Sequence, residues 1–222
     1  MESGKIIVID GLDGSGKSTQ LEAVGKIFKN SGKDIRMISF PDYNSPSSAA
    51  VKMYLNGEIS QNLEDINVYA ASSFYAVDRY ISYKRSWEND YKNGKVILSG
   101  RYTTSNCIHQ MSKLPEGDWD SYIEWLFDYE YQKLGIPKHN ICIFLDIDPL
   151  CARELLLERY NGDKNKLDIH EKNIKYMELC RKSALYAAKK LRWKRIAVSD
   201  KENIFPKEYI TKKIIEVLNQ EL

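Results

Sequence analysis

Long hydrophobic runs are missing from this chain: the first apolar stretch, Ile6 to Ile9, stops at Asp10. Nothing later approaches the ~20 residues that a membrane-spanning helix needs. The pattern predicts neither a membrane segment nor a secretory leader. An excess of one charge is also missing. Lys plus Arg total 33 against 31 Asp plus Glu, a formal net charge of +2, so no global basic field exists to attract nucleic acid. Any anion site has to be local. Cysteine is limited to 4 residues, Cys107, Cys142, Cys151 and Cys180, with no C-x-x-C spacing and no His at zinc-finger distance. They read as reduced, buried thiols of a cytoplasmic protein. No repeat, low-complexity tract or Pro/Ser-rich linker divides the 222 residues, so a single domain over 1–222 is the simplest division.

What is present is alternation. Lys5 to Asp10, Asp34 to Ser39, Lys95 to Ser99, Asn140 to Asp146 and Arg195 to Ser199 are short runs, mostly rich in Ile and Val, that read as strands. Helical spacing fills the gaps: Leu21, Val24, Ile27 and Phe28; then Ile66, Tyr69, Ala70, Ser73, Phe74, Val77 and Ile81; then Trp119 to Phe127, Tyr176 to Leu191, and a last helix from Pro206. These stripes are expected to cover a sheet. Strands alternating with helices predict a parallel α/β sheet with ligands beyond the strands' carboxyl ends. Pro41 to Ser48 and Arg159 to Asp168 break the pattern and read as mobile insertions.

Gly11-Leu12-Asp13-Gly14-Ser15-Gly16-Lys17-Ser18 fits G-x-x-x-x-G-K-[ST] directly after the first strand and directly before the first helix. In such a loop, glycines let backbone N–H groups turn around phosphate oxygens, and the helix aims its positive end at them. Lys17 is expected to reach the β and γ phosphates of ATP, and Ser18 to ligate Mg²⁺, with Thr19 next along the helix. No N-K-x-D guanine reader is present, and a small-molecule kinase is the economical reading.

With these motifs in place, the whole chain resembles the thymidylate kinase family of nucleoside monophosphate kinases. The matching segments are Ile9 to Thr19, Phe40-Pro41, Phe74-Tyr75-Ala76-Val77-Asp78-Arg79, Ser99 to Asn106, Leu134 to Lys138 and Phe144 to Pro149. The resemblance implies a P-loop NTPase-type three-layer fold, a five-stranded parallel sheet flanked by helices, with an acceptor-binding region about 40–80 and a lid about 153–168 as insertions. It implies a homodimer as well. By the same comparison Asp13 contacts the acceptor sugar, Tyr75 lies against thymine, Arg79 reaches the base, and Arg101 belongs to an Asp-Arg-Tyr-x-x-Ser motif ending at Ser105. Phe40, Asn106 and His109 join the acceptor site, and Arg159 is the lid cation expected to act beside Lys17 and Arg101.

The residue types fit those roles. Tyr75 and Arg79 are four apart and share a helix face, where a ring stacks and a forked donor bonds a carbonyl. Asn106 offers an amide able to pair with N3 and O4 of thymine. His109 has two readings, a donor near the sugar or a helix-face histidine, and Lys164 and Lys166 are either lid cations or a solvated loop. Three departures stand out: Gly100 replaces the motif's Asp, Asp42-Tyr43 replaces an expected arginine after Phe40-Pro41, and His109 stands where many members carry a tyrosine; the phosphate loop also lacks the arginine that some members carry. The basic stretch Arg181 to Ser199 reads as a solvated face. The expected reaction is transfer from Mg·ATP to dTMP. A deoxynucleoside kinase and a nucleotide-binding protein with weakened turnover remain the alternatives.

Overall fold

The protein is described here from a computed structural model covering residues 3–60, 62, 65–163, 173–200 and 203–221. Five strands, β1 (Ile6–Gly11), β2 (Ile35–Ser39), β3 (Val96–Gly100), β4 (Ile141–Asp146) and β5 (Lys194–Ala197), form one parallel sheet in the order β2-β3-β1-β4-β5. Every residue of β1 and β4 is buried, because helices cover both faces of the sheet and no polar face is left to alternate. The edge strands are half-exposed and carry Arg36, Lys194 and Arg195, charges that discourage further strand pairing. A short antiparallel pair, β6 (Ser199–Asp200) and β7 (Asn203–Ile204), follows β5.

Helix α1 (Lys17–Asn30) packs on β1 to β3 and beside α9 (Lys207–Glu221). On the other face, α5 (Thr104–His109) and α8 (Ile174–Leu191) lie together over β1 and β4. Between these come α2 (Ala49–Leu55), α3 (Val68–Ser82), α4 (Glu88–Lys92), α6 (Trp119–Phe127) and α7 (Pro149–Arg159). Helix starts follow local chemistry: Asn67 caps α3 by accepting from Tyr69 N at 2.8 Å, and Asp148 caps α7 ahead of Pro149 by accepting from Leu150 N at 2.9 Å.

Two expectations change. Part of the α3 stripe faces outward, with Tyr69 and Val77 exposed beside Tyr80, while Ile66 and Phe74 pack against Tyr54 and Ala71, and Ser72, Ala76, Asp78 and Arg79 are buried. The buried face is polar because it backs the site described next. Pro41 to Ser48 is tied down: Asp78 accepts from Asp42 N at 2.9 Å and from Ser47 Oγ at 2.5 Å, and Ser48 Oγ donates to Asp42 O at 2.8 Å. The basic stretch is largely paired, Arg181 and Arg195 with Asp146, Lys182 with Glu116, Lys190 with Asp120 and Lys194 with Glu221. Lys164, Lys166 and Asp168 lie outside the described residues.

Candidate active site

Strand order reverses around β1, and the carboxyl ends there open onto a cavity of about 790 Å³. One wall is the phosphate loop. Gly14 and Gly16 adopt left-handed backbone, φ +81° and +82°, and at Gly14 a side chain's first carbon would stand 2.3 Å from the Ala152 carbonyl oxygen. Only glycine closes this turn against α7. The turn enters α1 with no side-chain cap, so the first N–H groups of a 14-residue helix are left for a ligand together with its positive end. The Ser15 hydroxyl is buried there without a hydrogen bond among the described residues. Open donors around a left-handed turn suit phosphate oxygens.

Ser18 and Thr19 line the cavity, but Gly11 and Leu12, expected among the phosphate contacts, do not. Both are buried at the end of β1, and their carbonyl oxygens accept from Lys17 Nζ at 3.0 and 2.6 Å. Their part is to hold the lysine. Burial, with Arg101 nearby, pushes the Lys17 ammonium down to about 8 against the opposing pull of Asp13 and Asp10.

Across the mouth stands Arg101, which leaves β3 with a left-handed φ of 65°, uncommon outside glycine. Its Nη2 donates to Asp13 Oδ1, and its Nη1 meets His109 Nε2 at 2.8 Å. Arginine only donates, so Nε2 accepts and the imidazole proton sits on Nδ1, 3.7 Å from Cys180 Sγ. His109 therefore braces the arginine and is not a bare helix-face residue. Although burial opposes it, Arg101 and Lys17 hold the Asp13 carboxyl far below the usual carboxylate range.

Phe40, Tyr43, Leu55 and Tyr75 make the aromatic and apolar floor beside Arg101, and Tyr75 meets Tyr54 edge-on at 6.2 Å. Arg79 lines the cavity from behind, only 1% exposed, and is bound side-on by Glu130: Nε to Oε2 at 2.6 Å and Nη2 to Oε1 at 2.5 Å. Asn106 also lines it, but its Nδ2 is committed to Ser72 O at 3.3 Å and Glu130 Oε1 at 3.4 Å, which leaves only the acceptor Oδ1 for a base. Ser105 is turned onto Asp10, which accepts from Ser105 Oγ at 2.8 Å and from Thr104 Oγ1 at 2.6 Å. Asp78, Gln110 and Glu130 escaped sequence reasoning. Gln110 Oε1 is buried on the cavity wall and makes no hydrogen bond among the described residues.

At the far end, Val198, Ile204, Phe205 and Ile210 form an apolar slot beside Lys207, whose carbonyl accepts from Gln20 Nε2 at 3.1 Å. The only signal for this slot in the sequence was the apolar pair just before α9. Arg159 reaches the cavity from the end of α7.

With this geometry established, comparison with known proteins is decisive. The sequence model of the thymidylate kinase family matches residues 9–208. The chain belongs to the thymidylate kinase family. It is 28% identical over 168 residues to the thymidylate kinase of Tropheryma whipplei, covering 75% of this chain and 76% of that one. The thymidylate kinase of Mycobacterium tuberculosis strain H37Rv is 26% identical over 184 residues, covering 82% and 84%. The structure of thymidylate kinase from Candida albicans matches 98% of this chain and 92% of its own, with a TM-score of 0.68 at 19% identity, a likeness of fold.

The thymidylate kinase motif carboxylate has no simple replacement here. Gly100 is buried, and a Cβ on it would lie 3.1 Å from Ser39 Oγ and 3.2 Å from Leu21 Cδ2, so the space beside it is tight. Asp10 is occupied by Thr104, Ser105 and Gly11 N, and Asp146 by Arg181 and Arg195. Among the described residues no cluster of three or more metal-ligating side chains exists. Ser18, on the open first turn of α1, is the side chain that fits a magnesium ion carried in by phosphates.

Proposed function

We propose that this chain moves the γ-phosphoryl group of Mg·ATP to the phosphate of dTMP, giving ADP and dTDP. The observation that carries the reading is one cavity with a phosphate loop and Lys17 on one wall and, facing it, Arg101 above an aromatic floor. Family membership supports the same acceptor. A phosphate oxygen of dTMP forms the new bond to the γ phosphorus while the β,γ-bridging oxygen leaves with ADP. No proton has to be moved. The protein supplies alignment and positive charge: loop N–H groups and Lys17 on the donor, Arg101 on the acceptor, and Arg159 closing from α7. Mg²⁺, held by Ser18 and phosphate oxygens, would neutralise charge on the β and γ phosphates.

Tyr75 stacks on the acceptor base, Arg79 donates to O4 and Asn106 Oδ1 accepts from N3–H. The apolar slot at Phe205 takes the adenine. A nucleoside acceptor would need a carboxylate base. Asp13, the carboxyl in the cavity paired with Arg101, is held far below its usual range and is a poor proton acceptor. The test is product analysis with γ-labelled ATP and a panel of thymidine, dTMP, dUMP and dCMP. Labelled dTDP as the dominant product supports the reading; labelled dTMP from thymidine, with no dTDP from dTMP, contradicts it.

We read the outward stripe of α3, continued by the Tyr69–Trp125 edge-on pair at 4.6 Å and the stacked Trp125–Tyr129 pair at 5.4 Å, as the face that joins two copies. The four buried free thiols favour a reducing, cytoplasmic setting. Among the described residues no helix is long and apolar enough to cross a membrane.

A further inference from the structure

Glu130 is fully buried on the π-helical segment Asp128–Lys133 that follows α6. A carboxylate so placed is costly unless its lone pairs are all used. Here four donors converge on it. Arg79 Nε and Nη2 donate at 2.6 and 2.5 Å, Thr103 Oγ1 at 2.8 Å and Asn106 Nδ2 at 3.4 Å. Three of those four donors belong to the two residues read as facing the acceptor base, Arg79 and Asn106.

The consequence for each follows from counting. Arginine has five N–H groups; two go to Glu130, a third approaches Tyr102 O at 3.4 Å, and those left are donors at the two terminal nitrogens. The amide of Asn106 has two hydrogens, and both point to groups that can only accept, Glu130 Oε1 and Ser72 O. Its orientation is therefore determined by the network, and Oδ1 is the atom free to meet a ligand. We propose that Glu130 is the positioning residue that sets the polarity of the base reader, presenting a donor at Arg79 and an acceptor at Asn106.

That pair of polarities matches one chemical edge. An imide, with N3–H beside C4=O, satisfies both, whereas a cytosine edge reverses both, with N3 accepting and the 4-amino group donating. The substrate class is a monophosphate of thymine or uracil. The inference rests on the reading that Arg79 and Asn106 face the base. A π-helical turn contributes geometrically, since the extra residue per turn changes which side chain points inward.

The test is kcat/KM for dTMP, dUMP and dCMP in wild type and Glu130→Gln. Glutamine keeps the shape, but its NH₂ must meet either Arg79 Nε and Thr103 Oγ1 or Arg79 Nη2 and Asn106 Nδ2, so each orientation sets a donor against Arg79, and the second also turns Asn106 over. The dTMP to dCMP ratio is expected to fall about tenfold or more, and the dUMP to dCMP ratio with it, while dTMP to dUMP and the KM for ATP stay within about twofold. A merely structural role would lower all three acceptors alike, and that result, or an unchanged dTMP to dCMP ratio, overturns the proposal. If the variant does not fold, the wild type decides. The Arg79 Nε–H resonance should remain slowly exchanging when dTMP is added; its loss would show that the base pulls Arg79 off Glu130, which also overturns the proposal. A wild type indifferent between dTMP and dCMP would instead remove the base-reading assignment beneath it.

Discussion

Lys17 touches backbone oxygens and the cavity, not the core, so Lys17→Ala should fold normally and lose roughly 100-fold or more in turnover, the scale of deleting one preorganised electrostatic partner. Thermal unfolding with the kinase rate checks both halves. The same residue sets a pH limit. Its ammonium is needed to hold phosphate, and burial brings it down to about 8, so kcat/KM for ATP should be flat below that pH and fall as pH rises through it. A profile flat to pH 10 would place Lys17 in a different environment. Gly100→Asp should still fold, at a cost on the order of 1 kcal/mol, because the atoms it meets are the movable ends of Leu21 and Ser39. It should retain at least wild-type activity with a lower Mg²⁺ requirement; an inactive folded variant would show that the backbone there has diverged. Lys17, Arg101 and Tyr75 were legible because each sits at a fixed offset in a local motif. Glu130 and Gln110 were not, since their importance comes from partners 51 residues away at Arg79, or from the cavity wall, and a single sequence does not show such neighbours.

At the scale of elements, all five sheet strands could be read from their apolar runs, because a parallel sheet covered on both faces leaves little else for those runs to be. Helix α3 was read correctly at Phe74, which packs on Tyr54, and inverted at Tyr69 and Val77. Its polar face packs inward because Asp78 pins the 41–48 loop and Arg79 meets Glu130, so charge that a periodicity argument assigns to solvent is buried. Tyr69, Val77 and Tyr80 then look outward. Covering them with a second copy predicts that Val77→Asp, 41% exposed in the single chain, converts a dimer into a monomer with an unchanged melting profile at low concentration. Light scattering after size exclusion reads this directly, and a wild type that is monomeric at micromolar concentration would leave the stripe without its proposed partner.

On the scale of the whole molecule, the proposed reaction has donor and acceptor end to end in one cavity, with phosphates meeting between Lys17 and Arg101. The sheet makes this possible by delivering the loop after β1 and the arginine after β3 from neighbouring strands, with Ile9 paired to Gly100. A two-headed ligand, adenosine and thymidine joined through their 5′ oxygens by five phosphates, suits that arrangement. Linking the two halves makes the second binding event intramolecular. The most direct measurement is its inhibition of dTDP formation. Competition with both ATP and dTMP is expected, with binding at least about 100-fold tighter than either substrate alone. Competition with ATP only, at an affinity no better than that of ATP, would show that the acceptor does not lie across Arg101 and would contradict the end-to-end arrangement.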